Sequence, residues 1–213
     1  MTNENYTLVD LESWNRKSAY EFYKEYDDPL FNIVGNIKIT KLLKHCKETK
    51  ESFFMHSLHC SLMVSNAIPE FRYRLKGEQL VEYDKVHVGS TFLKEDNSFG
   101  FCYFDYETDV NSFIIKGVKA IELMKSTALM EPRMGQQNLI YHSVIPWVSF
   151  TCIKHARKGR REQDSIPKIA FGKYFEQNGD WWMPVSVEGH HAIMDGFHVG
   201  LYFQKLEEVM GSV

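Results

Sequence analysis

No stretch of this sequence approaches the roughly 20 consecutive apolar residues that a membrane-spanning helix needs, so no helical membrane span is expected. A Cys-x-x-Cys pair is also missing. The four cysteines, Cys46, Cys60, Cys102 and Cys152, stand far apart, and with no secretory signal they favour reduced, mostly buried thiols over a disulfide framework. The opening MTNENYTLVDLESW has neither the basic start nor the apolar run of a signal peptide, and a cytoplasmic protein is the expectation. Charge of one sign is lacking too. With 25 Lys and Arg against 28 Asp and Glu the net charge is −3, which gives the whole molecule no electrostatic claim on nucleic acid or an anionic membrane. The one basic run, KHARKGRR at 154–161, has no interleaved aromatics and reads as a solvated loop. The 6 prolines and 13 glycines are spread along the 213 residues rather than gathered in a linker. One domain, 1–213, long enough to bury a sizeable core, is expected.

Helical and strand periodicities interleave. Between Trp14 and Tyr26 the apolar Ala19, Phe22, Tyr23 and Tyr26 follow the i, i+3, i+4, i+7 spacing of an amphipathic helix. FNIVGNIKIT (31–40) predicts a strand, and ITKLLKHCKETK (39–50) and FFMHSLHCSLMVSNAI (53–68) predict helices, the second apolar almost all round and ended by Pro69. Short β-rich runs separated by turn signals fill 71–106. A helix is predicted over 110–126, strands within 138–150, 167–175 and 180–192, and a last helix over 197–210. Helices and strands do not alternate strictly, so the class is α/β with a mixed sheet and packed helices.

In HSLHC, His56, His59 and Cys60 share a helical spacing that can hold a transition metal, but no further ligand set lies nearby. A packed core helix and no metal is expected. The more informative stretch is EGHHAIMDGFHVG, 188–200. In the preceding strand Met183, Val185 and Val187 share one face, and Trp182, Pro184, Ser186 and Glu188 the other. If extended geometry persists, His191 falls with the valines. Partial desolvation there would disfavour its charged form, as a general base near neutral pH requires. A core histidine satisfied by one hydrogen bond is the alternative. Asp195 sits at the start of the last helix, where a cap and a catalytic role are both open. Gly196 marks a place where a Cβ would interfere or an unusual backbone angle is needed.

The stretch HHAIMDGFHVG resembles the signature of the type A chloramphenicol O-acetyltransferases, and the likeness continues in SWNRKSAYEFY, FRYRLKGEQLVEYDKVHVGSTFL and SVIPWVSF, in order along the chain. The resemblance implies a coenzyme A-dependent acyltransferase fold and a homotrimer with active sites at the subunit interfaces. It implies acetyl transfer from acetyl-CoA to a hydroxyl of chloramphenicol with no acetyl-enzyme intermediate and no metal. His191 would then be the general base, and Ser143 the donor to the tetrahedral oxyanion. Asp195 would pair with Arg16, as a bidentate anchor, rather than with the base. Lys173 and Tyr174 match coenzyme-contacting positions, and Phe22, Tyr23, Phe31 and Phe99 match the acceptor wall. This chain has Ser52 at a coenzyme lysine position, a charge KHARKGRR could supply. It has Ala170 for a threonine, Tyr141 for an asparagine and His155 for an apolar pocket residue. A same-fold transferase acting on another hydroxyl or a thiol, as dihydrolipoyl acyltransferases do, and a non-catalytic trimeric binder are the alternatives.

Overall fold

A computed structural model of the chain describes residues 5–126, 133, 135–156 and 164–212. Its elements run β1 (Tyr6–Leu8), α1 (Lys17–Tyr23), β2 (Leu30–Lys38), α2 (Thr40–Thr49), α3 (Phe53–Ala67), a 3-10 turn (Pro69–Phe71), β3 (Tyr73–Lys76), β4 (Gln79–Tyr83), β5 (His87–Leu93), β6 (Phe99–Phe104), α4 (Val110–Ser126), β7 (Leu139–Ile145), β8 (Lys168–Gly172), β9 (Phe175–Gln177), β10 (Asp180–His190) and α5 (Gly196–Gly211). A large sheet takes the order β2-β10-β8-β7-β5-β6, with β9 also on β10, and a small one the order β1-β4-β3. The pairs β5–β7 and β7–β8 are parallel and the others antiparallel, so the sheet is mixed, with helices packed on it, as the sequence predicts. A parallel neighbour needs a long crossover, and α4 supplies it between the β5–β6 hairpin and β7.

Helix α3 is buried on nearly every face, which is why its sequence shows no polar stripe. Ser52 caps it, its Oγ accepting from the Met55 amide at 3.3 Å. The main core gathers Leu42, Met55, Leu58, Leu62, Val185, Val187 and Leu206, all essentially inaccessible. Each such side chain contributes about 1.5–3 kcal/mol relative to an exposed one. A polar trio crosses this core: Ser61 Oγ lies 2.9 Å from His142 Nε2 and 2.6 Å from the Tyr202 hydroxyl, joining α3, β7 and α5. The two sheets are joined by Arg74 of β3, whose guanidinium donates to the carbonyls of Phe71, Tyr73, Gln137 and Leu139.

A second, smaller core matters most for function. Tyr20 of α1, Tyr73, Leu75 and Leu80 of the small sheet, and Ala192 and Ile193 beyond β10 pack together, with Trp14 and Tyr23 against them. It clamps the N-terminal segment onto the loop 191–195. That loop folds back over the end of β10, so closely that a Cβ on Gly189 would sit 2.4 Å from Met194 Sδ. Gly196, by contrast, faces only Ile33 Cδ1 at 3.8 Å and has no positive φ. The steric need expected at 196 therefore falls at 189.

Candidate active site

Strand β10 ends at His190, and a turn begins at His191, with the Ile193 and Met194 amides donating to the His190 carbonyl at 2.9 and 3.0 Å. Strand parity therefore does not place His191, which differs from the extended continuation that the alternation suggests. Three contacts fix it instead. Its backbone N–H donates to the Pro29 carbonyl at 2.8 Å. Its ring stacks on Tyr23, with centroids 4.1 Å apart and planes 9° from parallel, and lies 4.6 Å from the Phe31 ring at 39°. Nδ1 is buried with no hydrogen-bond partner among the described residues, while the residue as a whole is only half-buried. The strongly desolvated member of the pair is His190. It accepts from the Ala192 amide at Nδ1 (3.2 Å), and burial pushes its pKa down to about 4. Because β10 is an interior strand, Ser186 and Glu188 on the face opposite the valines are buried as deeply as the valines.

Arg16 divides its fork. Nη1 donates to Asp195 Oδ2 at 2.6 Å and Nε to the Ile193 carbonyl at 3.0 Å, so the pair is not bidentate on the carboxylate. Asp195 Oδ1 meanwhile accepts from the Phe197 amide at 3.0 Å and caps α5. Anchor and cap are thus one residue. Burial alone would raise the Asp195 carboxyl, but the Arg16 guanidinium and the Phe197 amide together hold it below its ordinary value. His198 closes the capping box, its Nδ1 accepting from the Asp195 amide at 3.1 Å while Nε2 lies 3.4 Å from Glu70 Oε1.

Ser143 lies elsewhere. On β7 it pairs with Ala170 of β8, which pairs with Ser186 of β10. His142 points to the α3 side, so Ser143 and the exposed Tyr141 point to the other. No described residue hydrogen-bonds the Ser143 hydroxyl. At about 3.3 Å rise per residue and 4.8 Å between strands, Ser143 stands about 16 Å from His190. The His191 ring is also turned the other way, toward Phe31 of β2. One chain does not bring His191 and Ser143 together. The aromatic wall divides likewise. Phe22, Tyr23 and Tyr26 form one cluster beside His191, with Phe22 61 % exposed. Phe99 lies on β6, at the opposite sheet edge from Phe31, about 24 Å across five strand spacings.

Lys173 and Tyr174 lie between β8 and β9. The Lys173 amide donates to the Val148 carbonyl at 2.9 Å and its own carbonyl accepts from Ser149 Oγ at 2.6 Å, which fixes the backbone and leaves the ammonium exposed without an ion pair among the described residues. Tyr174 packs between Phe53 and Trp181, at 5.7 and 5.5 Å. Lys47 sits over the Trp181 ring at 5.1 Å, a cation beside this platform that sequence inspection did not single out. Arg157 to Arg161 of the basic run lie outside the described residues.

The chloramphenicol acetyltransferase family model matches residues 4–207. The chain belongs to the chloramphenicol acetyltransferase family. A chloramphenicol acetyltransferase of Escherichia coli is 30 % identical over 204 residues, covering 95 % of this chain and 93 % of its own length. The chloramphenicol acetyltransferase 3 of Escherichia coli is 28 % identical over 210 residues, 98 % of each chain. A solved chloramphenicol acetyltransferase structure superposes with a TM-score of 0.89 at 27 % identity, covering 97 % of this chain and 100 % of that one. The Azotobacter vinelandii dihydrolipoamide acetyltransferase shares the fold alone, with a TM-score of 0.67 at 14 % identity over 91 % of this chain and 86 % of that one.

As a chloramphenicol acetyltransferase family member, the chain is an acyltransferase with the coenzyme A-dependent acyltransferase fold. Its altered positions now have places. Ala170 is fully buried between Ser143 and Ser186 in register, Tyr141 is exposed on the Ser143 face, and His155 is half-buried. Ser52 is a helix cap rather than a charge. The supports that sequence reading missed are backbone groups, the Pro29 and Ile193 carbonyls, which carry no residue signature.

Proposed function

We propose that this chain is an acetyl-CoA-dependent O-acetyltransferase whose acceptor is a hydroxyl of chloramphenicol, working as a homotrimer with active sites shared between subunits. The observation that carries the shared site is the separation of His191 from Ser143 within one chain, together with the division of the aromatic wall between opposite sheet edges. A symmetric ring, in which the His191 end of one copy meets the Ser143 face of the next, reunites both.

In that site Tyr23 and Phe31 hold the His191 ring, and the enclosed Nδ1 leaves Nε2 to meet substrate. Nε2 takes the proton of the acceptor hydroxyl, and the oxygen attacks the thioester carbonyl carbon of acetyl-CoA. The Ser143 hydroxyl donates to the resulting oxyanion, a contact worth about 3–4 kcal/mol where such donors have been removed. Collapse breaks the C–S bond, and the imidazolium returns its proton to the coenzyme thiolate. Arg16 and Asp195 act by holding the loop. Lys173, with Lys47 beside it, suits the coenzyme phosphates, and the Tyr174 platform suits its adenine. Phe22, Tyr23, Phe31 and Phe99 suit a nitrophenyl group.

Tyr141, exposed on the Ser143 face, supports a second reading in which another hydroxyl is the preferred acceptor. Purified protein with acetyl-CoA and chloramphenicol, followed by free thiol release, decides between them. Rapid release that His191→Ala abolishes supports the first. Background hydrolysis with chloramphenicol, raised by another alcohol, keeps the chemistry and discards the drug.

A further inference from the structure

Apart from the residues assigned to acetyl transfer, three ligand-bearing side chains converge where α2 hands over to α3. His45 Nε2 lies 3.4 Å and His56 Nε2 2.9 Å from the same carboxylate oxygen, Glu51 Oε2. Their ligand atoms all lie within 4.8 Å of one another. Around a tetrahedral zinc with bonds of about 2.0–2.1 Å the ligand atoms stand about 3.3 Å apart, so the two histidine–glutamate spacings already match and the imidazole nitrogens, within 4.8 Å of each other, close up around an ion by side-chain rotation. The spacing 45, 51, 56 follows no helical period. It draws one residue from the last turns of α2, one from the connecting turn and one from the first turns of α3, which is why the sequence alone points instead to His56, His59 and Cys60. Those three do not converge, for His59 Nε2 bonds the Glu107 carbonyl at 2.9 Å and Cys60 is buried in the core.

We propose that His45, Glu51 and His56 form a binding site for a first-row transition cation, zinc above all, that clamps the end of α2 to the start of α3. The frame is built before any ion arrives. Lys50 takes the left-handed conformation at φ 61°, and the Glu51 amide donates to the Cys46 carbonyl at 3.1 Å, which fixes the turn. Thr49 Oγ1 lies within hydrogen-bond distance of both Glu51 Oε2 (3.1 Å) and the His45 carbonyl (3.0 Å), an outer support for the carboxylate. His56 is buried, and its ring meets that of His45 edge-on at 5.6 Å. Half-exposed His45 and Glu51 leave a way in and a remaining position for water. Two imidazoles and a carboxylate suit zinc and its neighbours, whereas magnesium and calcium take oxygen. Two lysines of α2 are engaged elsewhere, Lys44 3.8 Å from Glu48 and Lys47 over Trp181, while Lys50, beside Glu51 in sequence, is exposed.

The test uses untagged full-length protein carrying Cys152→Ser, which removes the exposed thiol as a rival ligand. Zinc is titrated by competition with a chromophoric chelator, and thermal midpoints are recorded with zinc and with magnesium. The expected result is one zinc per chain and a midpoint raised by zinc but not by magnesium, with both effects lost in His45→Ala and in Glu51→Gln. His45 is half-exposed, so its variant retains the fold, which circular dichroism verifies. Zinc uptake unchanged in His45→Ala, or no uptake at one equivalent by the parent, overturns the proposal and leaves a hydrogen-bonded cluster only.

Discussion

Arg16 reaches across 179 residues of sequence to Asp195, Nη1 to Oδ2 at 2.6 Å, while its Nε holds the Ile193 carbonyl two residues before. One guanidinium thus holds both ends of the short segment that follows His191. The Asp195 carboxylate divides its own oxygens between that arginine and the first turn of α5. The hydrogen bonds of both residues go to the loop and to α5, and the ring neighbours of His191 are Tyr23 and Phe31. Their influence on the reaction passes through the shape of the loop.

Separating charge from cap tests this. Asp195→Asn keeps an acceptor for the Phe197 amide but loses the pairing charge, so kcat should fall about 10- to 100-fold, as small misplacements of a catalytic group do, with the KM for acetyl-CoA little changed. Asp195→Ala should show the same kinetic loss and a further stability loss of about 1 kcal/mol from the missing cap. Steady-state kinetics and denaturant midpoints on both variants check this. Equal stability in the two would contradict the capping role.

The Tyr23 ring, nearly parallel to His191 at 4.1 Å, is the chief constraint on the imidazole plane. Tyr23→Phe should therefore retain turnover within a factor of about 2, whereas Tyr23→Ala forfeits a ring contact of about 0.5–1.5 kcal/mol and should lower kcat by up to about 10-fold. A kcat for Tyr23→Ala equal to that of the parent would remove the stack from the account.

Stability should decline on mild acidification. Burial holds His190 at about 4 and His142 at about 3 in the folded chain, against 6.5 when unfolded. Below pH 6.5 the unfolded chain takes up protons that the folded one refuses, so unfolding becomes easier, by on the order of 1 kcal/mol per pH unit for each histidine. Asp195, whose pKa is depressed in the folded chain, adds stability above 3.8 that is lost as pH falls below it. Urea midpoints from pH 8 to 4 should fall steadily from about pH 6.5, and a flat profile down to pH 4.5 would contradict the burial of these rings.

Much of the fold could be read before the structure, because the helix over 110–126 and the strand 79–83 are set by local periodicity and turn chemistry. What could not be read depends on partners distant in sequence. His191 is placed by the Pro29 carbonyl and the Tyr23 ring, so strand parity misplaced it. Gly189, not Gly196, carries the steric need because Met194 folds back on it. Sheet order put Phe99 at the edge away from Phe31, and no pattern in a single sequence reports which strands are neighbours.

The most direct test mixes two disabled proteins. His191→Ala should be inactive in acetyl transfer from acetyl-CoA to chloramphenicol, and Ser143→Ala should lose about 10²- to 10³-fold. If the two groups act across an interface of a cyclic trimer, each mixed trimer regains one intact site of three. Equal mixing through refolding should then restore about a quarter of the parent thiol-release rate. Recovery to that level is the predicted result. No recovery in mixtures shown by mass to contain mixed trimers, or no turnover by the parent protein, would contradict the account.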